Sequence, residues 1–449
     1  MGLPMIRRVL EDSHRDQSDP SLNGHPSLAE PGQVSDIGQG NGNGSRPSSK
    51  VERKLLENLL GAVGGPPLGI ELWDGTRFGD EEESVGEVRI HDRLALAKLL
   101  TNPNFQFGEM YADGRLSVEG PLEVVMTEMF RAMDRVNKRS TLWTKLLTKI
   151  HRPRPTSLRA SKDNIYHHYD IGNDFYRLWL DDSMAYTCAY FRDEHVSLED
   201  AQRAKFDHVC RKARLEPGMA VVEAGCGWGG LALHMAEHYG VRVKAFNISR
   251  EQIAYARRAA KERELDGRVE FIEDDWRNID TPCDAFVSVG MLEHVGRKNY
   301  RLLGDVIHRC LSPEGRGLIH TIGQNQPLPF SVWIERRIFP GGYTPTLSEM
   351  MDLFAPHDLS VLDVENLRLH YAQTLRHWLE RFEANVERVV EMFDEKFVRM
   401  WRLYLAGSIA AFETGTYQLY QVAFSRNGVN DIPWTREHLY AEKLAPEGQ

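Results

Sequence analysis

A glycine-rich turn carries the most specific chemical signal in the chain. Val221-Val222-Glu223 reads as a short strand that runs into Ala224-Gly225-Cys226-Gly227-Trp228-Gly229-Gly230 and then into a helix. Glycines at such a turn let the backbone approach a ligand closely and present helix N-terminal N–H groups to it. Taken alone, G-x-G-x-G is a weak signal that also fits a dinucleotide site or a mere tight turn. Its third glycine comes one residue earlier than in the pyrophosphate fingerprint, and Asn247 rather than an acid ends the next strand, which disfavours NAD. An adenosine ligand without phosphates needs partners for its ribose hydroxyls and adenine edge, and a region that accepts a positive sulfonium. Asn247 and the pair Asp275-Trp276 end the second and third strands, where ligands of parallel sheets sit. Two readings of Gln252 stay open: it can touch the ligand, or it can close a capping box with Ser249. Trp276 can likewise be core.

Other reactive residue types have ordinary explanations when read singly. His320 on a strand fits a satisfied core histidine, and Glu293-His294 fits a helix start with an acid at its positive end. His167-His168 and His234/His238 have tolerable ligand spacing but no third ligand nearby in sequence, so no metal is expected.

Positioning these residues requires a doubly wound α/β sheet. From about residue 163 onward, short β-branched runs alternate with helix-length amphipathic runs. Expected strands are Ala220–Glu223, Arg242–Phe246, Val269–Ile272, Ala285–Val289 and Gly317–Thr321, with helices near Gly229–His238, Arg250–Glu264 and Arg297–Leu311. After Pro345 the pattern is mostly helical, closing in a strand at Gln418–Ser425. Four segments result: a disordered tail at 1–50, a small N-terminal α+β domain at 51–136, a basic linker at 137–162 and the Rossmann-like domain at 163–449. In the small domain Gly69–Trp73 and Val88–Ile90 read as strands, and Asp92–Leu100 and Leu122–Met133 as helices.

Bulk properties narrow the classes further. With 449 residues the chain exceeds one core. At 41% hydrophobic and 27% charged residues, and with no run of about 20 apolar residues, it is read as not crossing a bilayer. No secretory or lipidation signal is read at the N-terminus, and five scattered cysteines without a C-x-x-C pair argue for a reduced, cytoplasmic setting. A net charge of −10 gives no general attraction to nucleic acid. Between Asn137 and Lys162, however, eight Lys and Arg residues and no acid are interleaved with Leu142, Trp143, Leu146, Leu147 and Ile150. Such a helix can lie on anionic headgroups, or it can be a linker whose charges are merely solvated.

Specific motifs then point to a family. With M-A-Y-T-C-A-Y-F (184–191), V-E-A-G-C-G-W-G-G (222–230), S-V-G-M-L-E-H-V-G (288–296), I-H-T-I-G (319–323) and Y-Q-L-Y-Q-V-A-F-S-R (417–426), the chain resembles bacterial cyclopropane-fatty-acyl-phospholipid synthases and their mycolic acid relatives. The family's lipid-interaction domain is echoed by F-G-E-M-Y-A-D-G (107–114). The resemblance implies S-adenosylmethionine held by Tyr186, Thr187, Gly225, Gly227, Gly229, Asn247, Gln252 and Trp276. It also implies a bicarbonate site at Cys188 (through its backbone), Glu293, His320, Ile322 (through its backbone) and Tyr371. Phospholipid acyl chains at the inner membrane face are then the partners, and relatives suggest a homodimer. Asn247 and Thr187 depart from the commonest types, and Ser408 stands where many members have a second cysteine, so that residue is expected to line the pocket.

The implied reaction adds a methyl carbon across a cis double bond. An alkene is a weak nucleophile, and the cation it forms must lose a proton before water intercepts it, so the site should be dry with one held base. Glu293 and a bound anion would repel, so either a protonated Glu293 with raised pKa or a cationic His320 is expected. Aromatic faces at Tyr166, Tyr169, Phe175, Tyr190 and Phe339 either stabilise the cation or are simply core. Three rivals are a sister enzyme forming a methylene or methyl-branched product, a methyltransferase for a soluble small molecule, and a non-catalytic lipid-binding relative.

Overall fold

The computed structural model describes residues 46–79, 82, 84–139, 171–328 and 330–440. Nearly all of the expected tail and most of the basic linker lie outside them. The tail boundary moves, because Ser48 is buried and its N–H and hydroxyl both donate to Asp74, at 2.5 and 2.7 Å. The chain divides into two compact units, Met1–Val136 and Asn137–Gln449.

The first unit is α+β. Helix α1 (Lys50–Ala62) starts in a capping box between Ser49 and Glu52, which satisfies two orphan N–H groups. Strands β1 (Gly69–Leu72), β2 (Arg77–Phe78), β3 (Glu87–Ile90) and β4 (Leu116–Glu119) form a sheet in the order β2-β1-β3-β4, with β1 and β3 parallel. Helices α2 (Arg93–Thr101), α3 (Pro103–Ala112) and α4 (Leu122–Arg139) complete it. Ile70 and Leu72 on β1 and Val88 and Ile90 on β3 alternate inward, as period-2 patterning requires.

The second unit is a seven-stranded sheet in the order β10-β11-β9-β8-β5-β6-β7. Its strands are β5 (Ala220–Ala224), β6 (Arg242–Asn247), β7 (Val269–Glu273), β8 (Cys283–Val289), β9 (Leu311–Gly323), β10 (Leu359–Asn366) and β11 (Gln418–Arg426). β5 to β9 run parallel, while β11 lies antiparallel to both β9 and β10. Helices α5 (Leu198–Lys212), α6 (Gly230–Tyr239) and α7 (Arg250–Glu262) and, after β8, α8 (Leu292–Val295) and α9 (Tyr300–Cys310) connect them. Helices α10 (Arg368–Glu383) and α11 (Glu395–Glu413) precede the last strand. Val221, Val243 and Val287 enter one core cluster while Val222, Phe246 and Phe286 enter another. Both faces of the sheet are therefore covered, which explains strands with continuous apolar runs.

The order places a switch point at β5, whose neighbours β6 and β8 lead away in opposite directions. Loops leaving β5 and β8 diverge there, and a crevice opens at the strands' carboxyl ends. Two elements differ from expectation. β9 begins at Leu311 rather than Gly317, and β10 interrupts the region read as helical. β10 is an edge strand in which only Leu359 is buried, so its apolar alternation is blurred by Asp363 and Glu365.

Candidate active site

A cavity of about 140 Å³ occupies the crevice. Gly225 and Gly227 line it from the β5 turn, Asn247 and Gln252 from the β6 end, Asp275 and Trp276 from the β7 end, and Tyr186 and Thr187 from the 184–191 segment. Gly227 has φ +53° and open space where a side chain would be, so backbone can meet ligand there. Gly229 does not line the cavity. At φ +88° a Cβ on it would stand 2.6 Å from Phe271 Cζ and 2.9 Å from Ala256 Cβ, so its role is close packing at the start of α6.

Asn247 Nδ2 donates to Gly227 O at 3.2 Å and to Gln252 Oε1 at 2.7 Å. The capping box is only half formed: Gln252 N–H donates to Ser249 Oγ at 3.4 Å, while its side chain turns to Asn247 and the cavity. Trp276 is nearly buried beside Arg277, which also holds the Asp275 carboxylate at 2.9 Å. Tyr186 and Tyr404 share a hydroxyl hydrogen bond of 2.9 Å.

A second, smaller cavity of about 60 Å³ adjoins the first, and Tyr186, Thr187, Gly290 and His294 line both. All five residues of the expected anion site, Cys188, Glu293, His320, Ile322 and Tyr371, line it. Glu293 starts the helix after β8, and Oε1 accepts the Ile322 N–H from β9 at 2.6 Å. The Ile322 amide thus positions Glu293. Glu293 Oε2 is buried without a hydrogen-bond partner among the described residues, and so is His320 Nε2. The Gln421 amide nitrogen donates to His320 Nδ1 at 3.1 Å, an assignment from the network that leaves the ring proton on Nε2. Both side chains line this space, which is large enough for a few waters or one small ion.

Burial pushes the Glu293 carboxyl up to about 7 and holds His320 well below the usual imidazole range. Of the two charge states considered, the protonated Glu293 matches these directions and the cationic His320 does not. Burial likewise raises the Cys188 thiol, which donates to Ala189 O at 3.1 Å and is no thiolate.

Other expected residues fall elsewhere. Ser408 is half-buried on α11 and lines neither cavity. Phe339 lines the smaller one, but Phe175 lies in an aromatic cluster with Trp179, Phe397 and Trp401, and Tyr190 stacks on His208 and His370. Tyr166 and Tyr169 lie outside the described residues. The sequence reading missed Lys205, Glu223 and His294 as cavity residues. One signal was available for Lys205: it falls on the buried stripe of α5 with Leu198, Ala201 and Val209, where a charge needs a reason.

A mostly parallel sheet with one reversed strand inserted between β9 and the edge strand β10, and a glycine-turn cavity at its switch point, defines an S-adenosylmethionine-dependent methyltransferase. Comparison with known proteins agrees. Residues 156–422 match the family model for mycolic acid cyclopropane synthetase, and residues 55–141 match a domain of unknown function. A probable fatty acid methyltransferase of Pseudomonas putida is 36% identical over 386 residues, 83% of this chain and 96% of its own. The cyclopropane-fatty-acyl-phospholipid synthase of Escherichia coli K12 is 41% identical over 266 residues, 59% of this chain and 68% of its own. Among solved structures, mycolic acid cyclopropane synthase CmaA1 complexed with SAH and CTAB superposes with a TM-score of 0.56 at 30% identity, covering 59% of this chain and 98% of that one. The chain belongs to the mycolic acid cyclopropane synthetase family.

Proposed function

We propose that the protein transfers the methyl carbon of S-adenosylmethionine to the cis double bond of phospholipid-bound unsaturated acyl chains, with bicarbonate as base, forming a cyclopropane ring. The small cavity carries this reading: Glu293 and His320 line it, each with a buried polar atom that has no partner among the described residues, and it shares its lining with the cofactor cavity. When bound, S-adenosylmethionine supplies an electrophilic methyl and bicarbonate a small base. The chain's own part is to hold and exclude. Tyr186, Thr187, Asn247, Gln252 and Trp276 hold the cofactor, while Glu293–H and His320 Nε2–H donate to the anion. Phe339, Tyr371 and Tyr186 wall the reacting centre from water. Protonated Glu293 and neutral His320 would place no negative charge against the anion, which would supply the base for the proton lost from the transferred methyl.

The protein works as a peripheral enzyme at the inner membrane face. Among the described residues no helix is long and apolar enough to cross a membrane, and the acid-free run 137–162 is suited to anionic headgroups.

Mass spectrometry of cis-unsaturated phospholipid vesicles, incubated with the protein, labelled cofactor and bicarbonate, tests the reading. A gain of one CH₂ with the double bond consumed supports it. The same gain with an alkene retained supports a methylene-forming sister enzyme instead. No gain refutes both.

A further inference from the structure

A row of polar side chains crosses the large sheet behind His320. His320 on β9 stands directly opposite Gln421 on β11, and Gln421 directly opposite Glu365 on β10. Residues paired in this way share one face of a sheet, so the three form a line from the small cavity to the edge strand. Gln421 is fully buried, and the residues two positions to either side of it, Leu419 and Ala423, are buried and apolar. An amide in such a place is costly unless it is bonded. Its nitrogen donates to His320 Nδ1 at 3.1 Å. Beyond it, the Glu365 carboxylate accepts from His208 Nε2 and Lys212 Nζ of α5, both at 2.6 Å.

A neutral imidazole has one proton for two nitrogens, and the bond made at one nitrogen decides which of them carries it. A donor at Nδ1 requires the lone pair there and sends the proton to Nε2, the atom that is buried without a partner among the described residues. The surroundings keep the ring neutral. Burial first, then the charges of Lys205, Lys212 and His208, hold it well below the usual imidazole range, against the opposing pull of Glu365. Glu293 on α8 and Tyr371 on α10 line the same cavity as the ring. The reverse tautomer would turn an Nε2 lone pair on a bound anion and repel it.

We propose that Gln421 is a positioning residue of the anion pocket: its amide N–H holds His320 as the Nε2–H tautomer, so that a neutral ring donates to the anion. The assignment rests on the reading of the small cavity as the site of the base.

Nitrogen-15 NMR of the full chain with labelled histidine reads the tautomer, the His320 signals being those lost in His320→Ala. Wild type should show a neutral ring protonated on Nε2 from pH 8 to pH 6. Gln421→Met removes the donor at similar volume and should give a mixture of tautomers. Its turnover should fall by up to roughly 10- to 100-fold, the scale of losing a hydrogen bond to a charged group, with affinity for S-adenosylhomocysteine by calorimetry unchanged. Gln421→Glu sets a carboxylate at Nδ1 and draws the proton there. Turnover at pH 8 should fall likewise, but its ratio to wild type should rise as pH is lowered to 6, because an imidazolium again carries a proton on Nε2. A merely structural Gln421 would lower that ratio equally at every pH. The proposal is overturned by a wild-type ring protonated on Nδ1, or by Gln421→Met that keeps both the Nε2–H ring and full turnover. Should either variant fail to fold, the wild-type spectrum still decides. An Nε2–H ring in a chain that turns over no lipid upholds the hold of Gln421 on the ring and sinks the proposed function instead.

Discussion

Replacing Glu293 with Gln removes a titrating proton while leaving the side chain's shape nearly unchanged, which isolates the cost of burying this carboxylate. Folding raises Glu293 from 4.5 to about 7, chiefly by burial. Between those two values the folded chain holds a proton that the unfolded chain has released, so stability falls as pH rises through that window. Below 4.5 both states are protonated and no penalty exists. Above 7 both are ionised and the fold carries it in full, at about 1.4 kcal/mol per pH unit, or about 3 kcal/mol. Gln keeps the acceptor for the Ile322 N–H, a bond of 2.6 Å, and carries no charge. The variant should therefore be more stable than wild type by about 3 kcal/mol at pH 8, with the difference closing as pH is lowered towards 5. For a domain of this size that is about 6 °C in Tm. Thermal or urea unfolding of both chains at pH 8, 7, 6 and 5 measures it. A variant no more stable at pH 8, or a difference that does not shrink on acidification, would refute the reasoning. Activity should show the counterpart. An ionised Glu293 at ~4 Å from a bound anion costs about 4 kcal/mol at an effective dielectric of 20, so the wild-type KM for bicarbonate should climb above pH 7 while that of Glu293→Gln stays flat.

Three further outcomes are expected. His320→Ala removes the second inward-facing donor and should cut turnover by roughly 10- to 100-fold. Its affinity for S-adenosylhomocysteine by calorimetry should be unchanged, and a parallel fall in both would mean that the two cavities do not act separately. Cys188→Ser keeps a buried donor for Ala189 O and should leave turnover nearly intact. A fall of about 10² or more, the scale of a positioned acid–base group, would show that the sulfur itself takes part. Gly229→Ala forces a left-handed φ of +88° and a 2.6 Å approach to Phe271, and should destabilise by about 2–4 kcal/mol in urea unfolding. A neutral result there would mean that α6 shifts at little cost.

Much of the second unit was legible before any coordinates. Parallel strands covered on both faces leave continuous apolar runs, so Val221–Val222, Ala245–Phe246 and Phe286–Val287 announce themselves, and a glycine turn after the first of them marks where a ligand can approach. The motifs around Cys188, Glu293 and His320 identified the family and named the residues that the fold brings into one pocket. β10 stayed hidden because an edge strand with one buried residue lacks the alternation that marks a strand. Gln252 could not be assigned because capping and ligand contact use the same spacing, and only the direction of its side chain toward Asn247 separates them. Gly229 looked like its two cavity-lining neighbours until Phe271 and Ala256 were seen against it. Lys205 and Glu223 lie 18 positions apart on a helix and a strand, and no local pattern says that both line one cavity. Local propensity and periodicity determine which elements form. Which atoms are left without a partner is decided by what stands opposite them across the sheet, and that information exists only once the chain is folded.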